Sequence, residues 1–336
     1  MGGLANIADW RVTLDGKDLT DRIAPRLLTL RLTEKRGGEA DQLDLEVTNH
    51  DGRLTWPKTG AALTVQLGWR QGKDVRVGLI DKGRYIVDEV ALQGPPDIYT
   101  IRARSADLTA GYRVRKDDAY HNTTIGEIVA KVAAANGLKP ACAEALAGIA
   151  VPVLGQTAQS DMALVRDLGR RYDAVATIKA GKLIFAPIGA GTTPTGKPIA
   201  NIAISVGDGD TYRMSEVQRD AYAGVSASWH DQDAAKRKTV EVGGDDGTRK
   251  HLKRTYASEA DAKAAASAEW NRIQRGAAQL EMALALGRPD IFPEAPTTLT
   301  GFPDPIQSRK WLVSEATHSL DGDRGLMTQL KLETAA

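Results

Sequence analysis

The chain has 336 residues, 42% of them apolar and 26% charged, and a formal net charge of +1. That length accommodates two or three domains with cores of their own, and the near-neutral charge supplies no long-range pull toward nucleic acid or an anionic membrane. The opening residues MGGLANIADWRV lack the basic start and apolar core of a secretory signal, no run approaches the roughly 18 apolar residues that cross a bilayer, and the single cysteine, Cys142, excludes an intrachain disulfide framework; the expectation is a chain made and folded in a cytoplasm.

Residues 1–110 read as a first antiparallel β domain. Trp10 to Leu14 alternates apolar and polar residues, and Asp15-Gly16 is a strong two-residue hairpin turn. A period of two recurs in Leu28, Leu30 and Leu32, in Leu43, Leu45 and Val47, and in Leu63, Val65 and Leu67. Ile86 and Val90 fall in a further strand, and Tyr99, Ile101 and Ala103 in the next. Alternation of this kind means a sheet with one wet face, and short strands divided by turns indicate a sandwich or small barrel.

From 111 to 187 the pattern becomes α+β. Thr124-Ile125-Gly126-Glu127 is a capping box leading into Ile125, Ile128, Val129, Val132 and Ala133 on one helical face, stopped by Asn136-Gly137. A second helix runs from a Ser160 cap to Tyr172, burying Leu164, Val165 and Leu168, and a hairpin follows that turns at Lys179-Ala180-Gly181-Lys182. Residues 188–211 are rich in Gly, Pro and Thr and read as a linker. The β signature returns over 212–336, with Val225, Ala227 and Trp229 alternating and two strands flanking a Gly243-to-Gly247 turn that contains Asp245-Asp246. Leu280, Met282, Leu284 and Leu286 alternate next, and a strand from Leu326 to Leu332 closes the domain. One Ala-rich helix, 258–275, interrupts this second β domain after a Ser258 cap.

One pattern occurs in both β domains, about 230 residues apart. Leu67-Gly68-Trp69 is followed by a polar loop and RYIVDEV, Arg84 to Val90; Thr300-Gly301-Phe302 is followed by a shorter loop and KWLVSEA, Lys310 to Ala316. Gly–aromatic, loop, then basic–aromatic–aliphatic–Val–x–Glu, repeated in the same order, indicates a duplicated β domain.

Residues suited to chemistry are scattered. Gly191 to Lys197 has the spacing of a phosphate loop, but Pro198 stands where Ser or Thr would hold magnesium, and the following residues read as extended chain rather than a helix N-terminus. His50, His121, His230, His251 and His318 show no metal-ligand spacing and read as solvated or turn positions. Cys142 reads as a small buried hydrophobe, and Asp208-Gly209-Asp210 as a turn too short for a calcium loop. Glu89 and Glu315 tempt as a glycosidase pair, but equivalent positions in duplicated domains do not converge on one bond, which favours structural roles. Basic clusters at 113–116, 236–238 and 249–254 read as solvated surface, with phosphate or an acidic partner surface as the alternative. No catalytic, cofactor-binding or metal-binding residue is assigned.

The chain resembles the phage late control D family, the baseplate hub proteins of contractile phage tails, along nearly its whole length. The resemblance is carried by Val12 to Asp21, Gly38 to Leu45, Asn49-His50-Asp51-Gly52-Arg53-Leu54, Pro57, Gly60 and Leu67-Gly68-Trp69. In the insert it is carried by Thr124 to Val129, Asn136-Gly137-Leu138, Gln159-Ser160-Asp161, Leu168 to Tyr172 and Gly181-Lys182-Leu183. In the last domain it rests on Tyr256 to Ala262, Gly301-Phe302, Trp311-Leu312-Val313 and His318. Type VI secretion spike proteins begin with a similar module.

The resemblance implies a mainly β fold of two similar antiparallel barrels plus the α+β insert, and a homotrimer whose six barrels form a pseudo-hexameric ring. Such a ring joins a hexameric tail tube protein to a trimeric central spike protein and leaves a channel for tape measure and DNA, with baseplate wedge proteins as further partners. The insert is expected on the outside or toward the spike. The chain ends without a β-helical extension, so the spike is expected as a separate protein, and channel-facing positions are expected to be poor in Arg and Lys. No cofactor, specific nucleic-acid binding or membrane insertion is implied, and the location implied is the virion baseplate, assembled in the host cytoplasm. A tail-associated cell-wall-degrading hub enzyme is the alternative.

Overall fold

The structure is a computed structural model that describes residues 5–37, 39–55, 57–105, 110–216, 222–231, 234–244 and 247–335. Gly38, the expected turn residues Asp245-Asp246 and the first four residues lie outside this set.

The first β half begins with β1 (Ile7–Leu14) and β2 (Lys17–Asp18). Asp15 and Gly16 between them both have positive φ, as a two-residue turn with the twist of its strands requires. A short helix α1 (Thr20–Ile23) leads to β3 (Leu27–Lys35), β4 (Gln42–Thr48), β5 (Ala62–Gln71), the long β6 (Gly78–Gln93) and β7 (Ile98–Arg104). The alternating residues of these strands build one core, in which Leu30, Leu32, Leu43, Leu45, Val65 and Leu67 are fully buried. Each such side chain contributes about 1.5–3 kcal/mol of transfer free energy. Leu28 departs from its expected place: the β3–β4 register shifts between Leu27 and Thr29, and the side chain at that bulge is 38% exposed. Ile86 departs too, because the core face of β6 is Tyr85 and Val87.

The insert follows with α2 (Ala110–Arg113), β8 (Arg115–Thr124), α3 (Ile125–Ala135), β9 (Lys139–Cys142), α4 (Glu144–Ala147), β10 (Ala150–Ser160), α5 (Asp161–Arg171), β11 (Ala174–Lys179) and β12 (Lys182–Pro187). The α3 capping box forms in full: Glu127 N–H donates to Thr124 Oγ1 and the Glu127 carboxylate accepts from Thr124 N–H. Ser160 caps α5 by accepting from Ala163 N–H. Both helices pack Ile125, Ile128, Leu164 and Leu168 over Leu183 and Phe185. The β8–β10 ribbon and the parallel β9–β12 pair complete the insert.

Residues 188–201 have no helix or named strand, but the expected linker ends early. β13 (Ile202–Ser205) pairs with a strand of the second β half, and β14 (Gly209–Glu216) opens that half's antiparallel run. The second half is completed by β18 (Ala278–Leu284), β19 (Pro296–Thr300), β20 (Trp311–Asp321) and β21 (Gly325–Thr334). What interrupts it is larger than one helix. β15 (Gly224–Asp231), β16 (Lys236–Gly243) and β17 (Arg249–Tyr256) form a separate three-stranded sheet with β15 in the centre, covered by α6 (Glu259–Gly276). β16 and β17 therefore do not make the hairpin that their flanking of a turn suggested; each pairs with β15. Val225 and Ala227 pack on Ala262 and Ala266 of α6, whose missing side-chain bulk lets helix and sheet approach, but Ser226 and Ser228 between and beyond them are buried as well, so the expected wet face is absent over this stretch.

The two β halves share one sheet. β20 pairs antiparallel with β3 from Glu315↔Lys35 to Asp321↔Thr29, joining them into a 13-stranded array.

Candidate functional site

The repeated pattern is a repeated piece of structure. Along the common sheet the first half runs β3-β4-β7-β6-β5-β1 and the second β14-β18-β21-β20-β19-β13, the same order when strands are matched through the repeat. The outermost pair differs: β1 is antiparallel to β5, whereas β13 is parallel to β19.

The aromatic, valine and glutamate of the second part of the motif do the same work in both copies, whereas its first glycine does not: Gly68 lies within β5, and Gly301 follows β19 with positive φ. Tyr85 and Trp311 are 1% exposed, and each donates its polar hydrogen to a backbone carbonyl just upstream: Tyr85 Oη to Lys82 at 2.7 Å and Trp311 Nε1 to Ile306 at 2.8 Å. Val87 and Val313 are buried and tie their backbone to the chain entering the preceding strand, through Gly60 and Ala61 in one copy and Glu294 and Ala295 in the other. The register then shifts, between Val87 and Glu89 against β7 and between Val313 and Glu315 against β21. Val-x-Glu is thus the sequence of a β-bulge, in which the extra residue, Asp88 or Ser314, increases local twist while Val90 and Ala316 return to the core face. The Glu stands opposite a basic residue and pairs with it: Glu89 with Arg102 at 2.9 Å, Glu315 with Lys331 at 2.9 Å. Glu294 occupies the place of Gly60 and shares its positive φ, a strained position for a side chain. Its carboxylate is held by Arg36 and accepts from Gly189 N–H at 2.7 Å.

At the β3–β20 seam lies a buried polar chain. Arg288 N–H donates to Thr328 Oγ1 at 2.9 Å, Thr328 Oγ1 lies 2.9 Å from His318 Nδ1, and His318 Nε2 lies 3.2 Å from Glu34 Oε2. Glu34 also pairs with Lys82, whose ammonium donates to the Pro289 carbonyl at 3.0 Å. Because the Glu34 carboxylate only accepts, neutral His318 is assigned its proton on Nε2, and the Thr328 hydroxyl, which accepts from Arg288 N–H, then donates to Nδ1. Burial and the Lys82 charge push the His318 pKa down, against Glu34. Burial pushes the Glu34 carboxyl up, but the His318 hydrogen bond and Lys82 charge outweigh it and hold it at about 2. His318 is therefore 0% exposed, not a solvated position, because a buried carboxylate and hydroxyl satisfy both ring nitrogens.

Both pKa values lie below their ordinary values of 6.5 and 4.5, so the unfolded chain takes up protons first as pH falls. The stability they contribute is present above those ordinary values and is lost on acidification. A plot of denaturation midpoint against pH is expected to fall below about 6.5, and His318→Gln to flatten the part between 6.5 and 4.5; a midpoint that rises from pH 7 to 5 would contradict this.

A second network ties the insert and α6 to both halves. Asp173 accepts from Arg275 Nη1 at 2.7 Å, Arg275 Nε lies 3.0 Å from Glu333, and Arg36 bridges Glu333 and Glu294. Lys179 of β11 reaches buried Asp41 at 2.9 Å, and Trp69 Nε1 donates to the Gly287 carbonyl at 2.9 Å across the halves. Single-sequence reading missed these contacts because their partners are separated by up to 297 residues.

The remaining candidates stay apart. Thr193 N–H donates to the Lys197 carbonyl, closing the phosphate-loop-like segment into a turn that leads to β13 rather than a helix. Asp208 ends a short 3-10 turn and accepts from Ser205 N–H at 2.7 Å. Cys142 is half-buried, and burial pushes its thiol up to about 11. Among the described residues no group of three or more His, Cys, Asp or Glu is placed to hold a metal ion, and no helix is long and apolar enough to cross a membrane.

Residues 39–323 match the family model described as phage tail baseplate hub. The chain belongs to the phage tail baseplate hub family. The hub-family assignment agrees with the "Probable baseplate hub protein" of Escherichia phage 186, 37% identical over 96% of this chain and 92% of that protein. The protein of the same description from Escherichia phage P2 is 36% identical over 97% and 92%. In fold, the hub-family chain is similar to the 43 kDa tail protein of prophage MuSo2 from Shewanella oneidensis, with a TM-score of 0.68, 16% identity, and coverage of 97% of this chain and 98% of that one.

Proposed function

We propose that this chain is the homotrimeric hub of a contractile tail baseplate, in which two similar β domains per chain make six quasi-equivalent units around a channel. The observation that carries this reading is the strand-for-strand duplication, down to a bulge and an ion-paired Glu at the same place in each copy. Three copies of a doubled unit meet a sixfold tube on one side and a threefold spike on the other. The domains in this reading are a first tube-like β domain up to residue 110, the insert at 111–187, and a second tube-like domain from β13 onward that carries the β15–β17 sheet and α6. β14 lies at one end of the common sheet and β2 at the other, and neither edge is paired within the chain among the described residues. Edges of this kind invite strand pairing or close packing with a neighbouring chain. The role is structural: Glu89 and Glu315 are spent on ion pairs to Arg102 and Lys331 rather than facing a shared bond.

Light scattering on the purified chain, alone and with a tail spike protein, tests the reading. Three times the 36.0 kDa chain mass is expected. A monomer under both conditions is the result that would overturn the trimer.

A further inference from the structure

Two neighbouring clefts open where the insert meets the rest of the chain. The first, about 230 Å³, has an apolar floor of Ala174, Val175 and Ile188 and a rim of Arg36, Arg166, Arg170 and Arg272. The second, about 330 Å³, is floored by Leu164, Leu168 and Leu252 and rimmed by Arg170, Arg171, Arg254 and Arg272. Arg170 and Arg272 belong to both, so the clefts adjoin. The fold thus brings one end of the basic stretch 249–254, far away in sequence, against α5.

The carboxylates in these walls are already engaged. Asp173 is held by Arg275, Glu269 by Lys250 at 2.7 Å and by Arg272, and Asp167 accepts from Gln159 at 2.6 Å. Arg166, Arg170 and Arg254 have no carboxylate within ion-pair distance among the described residues. Arg36 is paired with Glu294 and Glu333, and Arg171 with Asp261 at 3.4 Å. A surface on which Arg166, Arg170 and Arg254 remain without a carboxylate partner among the described residues fits an anionic occupant.

We propose that the paired clefts dock an acidic peptide segment of another protein, in extended conformation, with its carboxylates on the arginine rim and small apolar side chains on the floors. Guanidinium forks match carboxylates bidentately. Arg166 and Arg170 stand one helical turn apart on α5, a spacing of about 5–6 Å at Cβ. Residues two apart on a strand are separated by about 6.6 Å, so an alternating acidic sequence meets both. The apolar floors and the +1 net charge of the whole chain disfavour a nucleic acid, which needs an extended basic field. The Tyr256 ring, which a base would need for stacking, already has Arg171 and Arg254 at 5.6 and 5.8 Å. This inference stands independently of the ring geometry proposed above.

Fluorescence anisotropy on the full chain tests it, with a labelled peptide of six Glu-Ala repeats, the Gln-Ala counterpart and oligothymidylate of 12 nucleotides as probes. Saturable binding of the Glu-Ala peptide is expected, at least tenfold tighter than the Gln-Ala peptide. The R166A/R170A/R254A variant is expected to weaken it at least tenfold, and R324A, in the β20–β21 turn, to leave it unchanged. If the triple variant does not fold, as judged by circular dichroism, R170A and R254A at their exposed positions must each weaken binding at least threefold. Equal binding of both peptides, arginine variants without effect, or tightest binding of oligothymidylate overturns the proposal.

Discussion

Lys82→Met is expected to cost about 3–5 kcal/mol, because it strands a buried carboxylate at the seam between the halves. Lys82 and Glu34 are almost wholly withdrawn from water, and among the described residues the Lys82 ammonium is the full positive charge within ion-pair distance of that carboxylate, with Lys179 acting from farther away and His318 neutral. Chemical denaturation at pH 7.5 measures the loss. The double variant E34M/K82M is expected to recover most of it, since removing both charges also removes their desolvation. A single-variant cost below about 1 kcal/mol would mean that water reaches the pair.

Trp311→Ala and Tyr85→Ala are expected to cost about 3–5 kcal/mol each. Both rings are fully enclosed, each in the core of its own half. Phenylalanine at either place keeps most of the packing but leaves the Ile306 or Lys82 carbonyl without its donor, for about 1–3 kcal/mol. Equal roles in separate cores also predict additivity: the double alanine variant should equal the sum within about 0.5 kcal/mol. Strong non-additivity in denaturation would show that the two cores are energetically one.

Local signals in the sequence were legible where one element decides its own conformation. The Asp15-Gly16 turn, the Thr124 capping box and the Ser160 and Ser258 caps all form at the residues that encode them. The duplication was legible as well, because a bulge and its neighbours need particular residue types in a fixed order. Leu28 misled because a period of two assumes an unbroken register, and the bulge lies in the pairing with β4. His318 misled because its partners Glu34 and Thr328 come together only when β3, β20 and β21 assemble. That β15, β16 and β17 form a sheet of their own was not legible, because alternation reports that a face is buried, not what buries it.

The pairing of β3 with β20 has a consequence for the order of events during synthesis. β3 can zip to β4 as soon as both leave the ribosome, but its other edge waits for residues 311–321. At about 5–20 residues per second, that wait is on the order of tens of seconds. A truncated or unfinished chain therefore carries an unfilled sheet edge and a Glu34 that has Lys82 but not its His318 hydrogen bond, and lacks the seam that makes the two halves one body. Completion of the last strands acts as a built-in check on length, passed before the molecule can serve as a rigid building block.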